Sequence, residues 1–380
     1  MSALARARIG AAAALLLAAA SGVGAQTTIG VEGGFKGYSF DAGLGPEAAQ
    51  LFIVPVALRV PLSNTLQADV FSAWARGEVE RGGATYRLEG IVDTQVKASW
   101  TARPWAVLSL AVNLPTGNES HNAEEAQVAS VLATDLLGFR ESTWGTGLAI
   151  TSGPATATRM GEWGMGLGAS YRVANGFEPA ADQGLMYEPG NEARVRVGLD
   201  RNVGEAGKLS AGVTFQSFSE DQVDGTNLFQ AGNRFMVDGA YAFRLGSQTW
   251  TLYGSDLWRE KGDLFLPVVD ANDAVVGDST ITTGTQNLLS LGFVGAIPVG
   301  SIYRIRPGAD LRMQSREEVN GSDEGSGWIL SAGFDVPLRL LGTYDVFPRV
   351  RGITGSIIGA DGADHGAKGF EAGVTIRWGG

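Results

Sequence analysis

The chain has 380 residues with 55 Gly, 9 Trp and no Cys, and it sets 29 basic against 40 acidic residues for a formal charge of -11. The absence of cysteine excludes a disulfide scaffold, a thiolate metal site and a cysteine nucleophile, and the acidic balance excludes a surface built to neutralise nucleic-acid phosphates. With 44% hydrophobic and only 18% charged residues the chain is too apolar for disorder, and glycine at roughly twice its usual share suits a large all-β protein rich in turns.

The first segment has its own composition. Arg6 and Arg8 precede an uncharged apolar run from Ile9 to Ala20, and Val23-Gly24-Ala25 supplies small residues where a signal peptidase reads. The run is shorter than the roughly 20 residues a spanning helix needs. The pattern predicts a signal peptide over 1–25, cleaved before Gln26, and a single domain over 26–380.

From Thr27 onward the dominant period is two. Strands are predicted at 28–40, 51–60, 66–78, 85–100, 105–114, 143–152, 157–173 and 192–203, then at 208–219, 232–245, 249–260, 285–298, 302–316, 327–338, 346–358 and 369–378. The alternation is clearest near the end, where Trp328, Leu330, Ala332, Phe334 and Val336 oppose Ser331, Gly333 and Asp335. Phe370, Ala372, Val374, Ile376 and Trp378 likewise oppose Glu371, Gly373, Thr375 and Arg377.

Connection lengths alternate. Turns at 61–65, 101–104, 152–156, 204–207, 246–248 and 298–301 are short, whereas 115–142, 174–191, 220–231, 261–284 and 317–326 are long and polar. Short turns at one end, long loops at the other and strands of 10 to 15 residues fit a closed antiparallel transmembrane β-barrel of about 16 strands, with 14 as the nearest alternative. Trp100, Trp105, Trp144, Trp163, Trp250, Trp258, Trp328 and Trp378 lie on or near the ends of predicted strands, as interfacial girdles require. The longest loop carries a short helix. Asn122 caps it with Glu125 three residues on, Val128, Val131, Leu132 and Leu136 share a face, and Gly138 fits its stop. An apolar stripe inside a loop has to be buried, so these four residues are candidates for a loop gate folded into the barrel, or for a lid packed on neighbouring loops.

Assigning the apolar faces to lipid turns Arg59, Arg87, Arg172, Arg194, Arg196, Arg234, Arg304, Arg306, Asp310, Arg312, Arg349, Arg351 and Arg377 into the lumen. Lys97, Arg244, Glu89, Asp93, Glu162, Asp200, Asp238, Asp335 and Glu371 join them. A charge facing lipid at mid-depth would cost about 2–4 kcal/mol. Such a lining favours either a hydrated path biased towards anions or a lumen closed by mutual ion pairs. The long loops carry acidic clusters: Glu178, Asp182 and Glu188; Glu220, Asp221 and Asp224; Asp263, Asp270, Asp273 and Asp278; Glu317, Glu318, Asp323 and Glu324. They suit a solvated surface, or bridging through divalent ions to lipopolysaccharide. With His121 and His365 as the only histidines and no nucleophile elbow, no enzyme, metal centre or cofactor is expected.

The stretch Asn113-Leu114-Pro115-Thr116-Gly117, followed by a polar insert and Trp144-Gly145-Thr146-Gly147, resembles the outer-membrane family linked to phenol-degradation pathways. That resemblance implies passage of small hydrophobic or aromatic compounds. The partners expected are outer-membrane lipid and lipopolysaccharide, the barrel assembly machinery and small solutes. The chain ends Trp378-Gly379-Gly380, two residues past the terminal aromatic that assembly usually reads. The rival expectation is a non-conducting barrel whose acidic loops bind ions or surfaces.

Overall fold

The computed structural model describes residues 27–141, 144–181, 183–269, 275–300, 303–317, 323–340 and 344–379. The expected signal segment lies outside the described residues, as do Asp182, Asp270, Asp273 and Glu318.

Sixteen strands run in chain order. They are β1 (Thr28–Phe40), β2 (Ala48–Pro61), β3 (Leu66–Arg81), β4 (Ala84–Ile91 and, after a break, Thr94–Arg103), β5 (Ala106–Leu114), β6 (Ala149–Met160), β7 (Trp163–Ala174) and β8 (Glu192–Val203). They continue as β9 (Gly207–Phe218), β10 (Arg234–Leu245), β11 (Gln248–Arg259), β12 (Gln286–Val299), β13 (Tyr303–Arg316), β14 (Gly327–Asp335 and Leu338–Leu340), β15 (Tyr344–Ile358) and β16 (Asp364–Gly379). Each pairs antiparallel with its predecessor. The circle closes where β1 meets β16, from Thr28↔Gly379 to Phe40↔Ala367. Closure removes the unpaired edges that an open sheet of this width would expose.

The two faces sort as the alternation requires. Trp328, Leu330 and Phe334 on β14, and Phe370, Val374, Ile376 and Trp378 on β16, are exposed on the outside. Trp100, Trp105, Trp163, Trp250 and Trp378 gather towards the short-turn end. Trp258 packs on Phe235 at 5.9 Å towards the other end. Trp144 departs from the girdle expectation: it is fully buried inside the barrel.

Even-to-odd connections such as 62–65, 104–105, 161–162, 204–206 and 246–247 are short. The turn expected at 152–156 falls instead at Gly161-Glu162, because β6 runs straight through Gly153-Pro154. A Cβ on Gly153 would lie 1.9 Å from the carbonyl oxygen of Ala169, so glycine here serves close strand approach. Pro154 has no N–H to give, and the pairing with β7 skips both residues.

The long odd-to-even loops are more ordered than their composition suggests. Segments Tyr187–Glu188, Glu220–Val223, Thr226–Gln230, Asp263–Val269 and Val275–Thr282 weave the connections β7–β8, β9–β10 and β11–β12 into one five-stranded sheet. Several acids of these loops hold the sheet together. Asp221 accepts from the backbone N–H of Gly190 at 2.6 Å and from the Tyr187 hydroxyl at 2.6 Å, and Asp224 accepts from the backbone N–H of Met186 at 2.9 Å.

Candidate functional site

The β5–β6 connection enters the barrel. Its helix, α1 (Ala123–Leu132), starts as the sequence indicates: the Asn122 side chain accepts from the backbone N–H groups of Glu124 and Glu125, and Glu125 reaches back to the Asn122 N–H. It stops earlier than expected, at Ala133, and Gly138 instead ends a following turn bonded Thr134 to Leu137 and Asp135 to Gly138. Leu136 therefore sits beyond the helix.

The apolar face of α1 lies on the inner wall. Val128 and Leu132 are fully buried with Trp144 against Leu51, Ala75, Val79 and Leu88 of β2, β3 and β4. Gly77 makes the fit: a Cβ there would lie 2.6 Å from Leu132 Cδ1 and 3.0 Å from Val128 Cγ1. Leu136 and Leu137 fill a second cluster with Tyr38, Ile329, Ile353, Ile357 and Ala367 from β1, β14, β15 and β16. Val131 is half-buried and touches both clusters.

Polar ties fix the same segment. Asp93, at the break in β4, accepts from the backbone N–H of Gly117 at 3.0 Å and of Thr146 at 2.7 Å, clasping both ends of the loop. The Trp144 indole donates to Ala75 O at 3.1 Å. Lys36 Nζ donates to the carbonyls of Leu137 and Gly138 at 2.7 and 3.0 Å, and the Tyr38 hydroxyl to Leu137 O at 2.7 Å. Arg140 pairs with Glu32 of β1 at 2.7 Å. Asp135 pairs with Arg259 of β11 at 2.7 Å. In a ring of sixteen, β11 stands opposite the β3 wall that holds α1, so the segment spans the lumen.

The filling is one-sided. Inward residues of β2 and β3 beside the helix are sealed by the loop, with Leu51 2% and Ala75 0% exposed, whereas Arg59 and Phe71 nearer the short-turn end stay exposed. On β8 the inward Arg194 and Arg196 keep side-chain exposures of 50% and 44%. A row of small residues, Ala157, Gly166, Gly198 and Gly212, crosses the inner face of β6 to β9 beneath them.

Register places the expected lining residues. Arg59, Arg172, Arg194, Arg196, Arg234, Arg304, Arg306, Asp310, Arg312, Arg349, Arg351 and Arg377 share the inward parity. Arg87 does not. One extra residue in β4 changes the pairing from Trp74↔Ile91 to Phe71↔Gln95, and this bulge at Val92-Asp93 turns everything above it over. Arg87 and Glu89 consequently lie on the outer face of the β3–β4 hairpin, which projects past β5. There Glu78 accepts from Arg87 Nε at 2.8 Å, from Gln50 at 2.6 Å and from Arg76. Glu162 sits in the β6–β7 turn, paired with the outward Arg201.

Along the open wall Arg196 makes a two-pronged bond to Asp238 at 2.6 and 2.8 Å, and Arg194 pairs with Glu192 at 2.7 Å. Arg234 stacks on the Phe218 ring at 4.6 Å. Arg172 and Arg234 make no ion pair among the described residues, so the wall carries surplus positive charge. A cavity of ≈ 330 Å³ beside Asp93 and Trp144 holds the loop residue Glu141. Burial, then the nearby Asp93 carboxylate, pushes the Glu141 carboxyl up to about 7.

No serine among the described residues bonds the imidazole of His365. His365 bonds Asp361 at 2.9 Å, while Ser356 donates to Asp364. Among the described residues no group of three or more metal-ligating side chains gathers.

Neither a family model nor a curated protein matches the sequence. Solved structures do resemble the fold. CdiB from Acinetobacter baumannii aligns at a TM-score of 0.50 with 8% identity, over 91% of this chain and 60% of its own. The Pseudomonas aeruginosa protein OccK11 gives 0.47 and 10% over 93% and 96%, and the CymD monoaromatic hydrocarbon channel 0.41 and 11% over 94% and 89%. At such identities the likeness to CdiB speaks for architecture alone, and the chain has the closed barrel fold of outer-membrane proteins.

Proposed function

We propose that the protein is exported through its N-terminal signal segment, sits in the bacterial outer membrane with its long loops outside, and is a passive channel for small solutes that favours anions. The observation carrying this reading is the uneven filling of the lumen: the inserted loop covers β1–β4 beside the helix, while on β8 Arg194 and Arg196 keep about half their side-chain surface exposed, flanked by the half-buried Arg172 and Arg234. Passage needs no reaction. Cationic side chains in a narrow, low-dielectric space raise the local concentration of anions, and the loop sets the width.

Single-channel conductance of refolded residues 26–380 in a planar bilayer tests it. Steady conductance with a reversal potential displaced towards anions is expected. A folded, heat-modifiable barrel that passes no current would refute the channel and favour a surface-interaction barrel.

A further inference from the structure

The loop tip leaves a cavity of ≈ 200 Å³ between itself and the wall of β1, β2, β13, β15 and β16. Its polar lining is Lys36, Arg140, Arg312, Arg349 and Arg351 with the single carboxylate Glu371; its apolar lining includes Leu51 and Ile53. Most of the charge is already spoken for. Glu32 bridges Arg140 and Arg349 at 2.7 and 2.8 Å, Glu371 holds Arg349 at 3.0 Å, Asp310 holds Arg312 at 3.3 Å, and Lys36 donates to two loop carbonyls. Arg351 has no ion pair among the described residues, and its Nε is buried with no hydrogen-bond partner. Five cations against three carboxylates leave two positive charges in excess.

From this we propose that the cavity is a binding subsite for a small monocarboxylate with an apolar body, deepening the channel reading above by naming a solute class for which the passage is selective. The carboxylate meets the forked donors of Arg351, a group suited to two parallel N–H···O bonds, with Arg312 lining the same cavity, while the apolar body lies on Leu51 and Ile53. The volume suits a single-ring acid and falls below the roughly 300–1,000 Å³ of drug-sized ligand sites. A bare inorganic anion would leave the apolar side unused, and a neutral ring would leave Arg351 unpaired.

Titration calorimetry on the detergent-solubilised, folded barrel tests this with benzoate, acetate, inorganic phosphate and benzamide. Benzoate is expected to bind at least tenfold more tightly than the other three. Arg351→Gln is expected to weaken benzoate at least tenfold and Arg351→Lys less, whereas Arg87→Gln, on the outer face, leaves it unchanged. Arg312→Gln serves as the second variant should Arg351→Gln lose its heat-modifiable fold. Benzamide or phosphate binding as well as benzoate, or equal benzoate affinity in the wild type and the folded Arg351 or Arg312 variants, overturns the assignment. Conductance is read separately. A barrel that conducts without binding benzoate sinks the subsite alone, and one that binds without conducting sinks the channel alone.

Discussion

Leu132→Asp puts the inserted loop under the most direct stress. Leu132 is 1% exposed against Gly77, Val128 and Trp144. Emptying such a site to alanine costs about 3–5 kcal/mol, and leaving a polar group there unpaired adds about 1–3 kcal/mol. The docked loop thus loses about 5 kcal/mol, a population shift on the order of a thousandfold at 1.4 kcal/mol per factor of ten. Against it stand six hydrogen bonds, from Lys36, Tyr38, Trp144 and Asp93, worth about 1 kcal/mol each, together with the ion pairs Arg140–Glu32 and Asp135–Arg259. The loss is of the same order as these ties, so the variant loop is expected to leave the wall far more often than the wild-type loop does. Single-channel recording should show larger, noisier conductance, and limited proteolysis should cut within 115–148 where the wild type resists. Ser130→Asp, on the exposed side of α1, controls for added charge. Unchanged conductance and protease resistance in a heat-modifiable Leu132→Asp barrel would refute the loop as the element that narrows the lumen.

Other perturbations separate the contributions. Asp93→Ala removes the acceptor for Gly117 and Thr146 and should cost loop docking about 3 kcal/mol, read as faster cleavage at both loop ends with the barrel's melting unchanged. Gly77→Val should overpack the α1 seat by about 1–3 kcal/mol and mimic Leu132→Asp in the proteolysis assay; wild-type resistance would contradict the close approach described. Glu141, raised from 4.5 to about 7, binds more protons with the loop docked than released. Docking is fully supported below pH 4.5 and weakens as pH rises towards 7. Protease sensitivity should climb across that window and flatten in Glu141→Gln. Replacing Arg172 and Arg194 together with Glu should move the reversal potential towards cations; no shift would place the current elsewhere than along β6–β10.

How much of this was written in the sequence depends on the scale of the feature. Two-faced strands announce themselves because lipid and lumen demand opposite chemistry at successive residues, and all sixteen were placed within a few positions or with a shifted turn. Gly153-Pro154 misled because turn-formers and close-packed strand residues are the same amino acids. Arg87 misled because a single-residue bulge reverses parity without any mark in composition. The capping box at Asn122 was legible as local chemistry. The seat of α1 was not: Gly77 lies forty-six residues or more upstream of the helix and reads as one glycine among many. The loop strands were hidden too, since each is short and paired only with other loop segments.

The second cluster beneath the loop has a bearing on assembly. Leu136 and Leu137 rest at once on Tyr38 of the first strand, Ala367 of the last and Ile353 and Ile357 beside it, with Tyr38 bonded to the loop carbonyl of Leu137. The loop therefore lies across the seam where the chain's two ends zip together. It acts as an internal rivet on the joint that closes the barrel, so a barrel lacking it would keep its hydrogen-bonded wall but lose the fastening that couples strand one to strand sixteen from within.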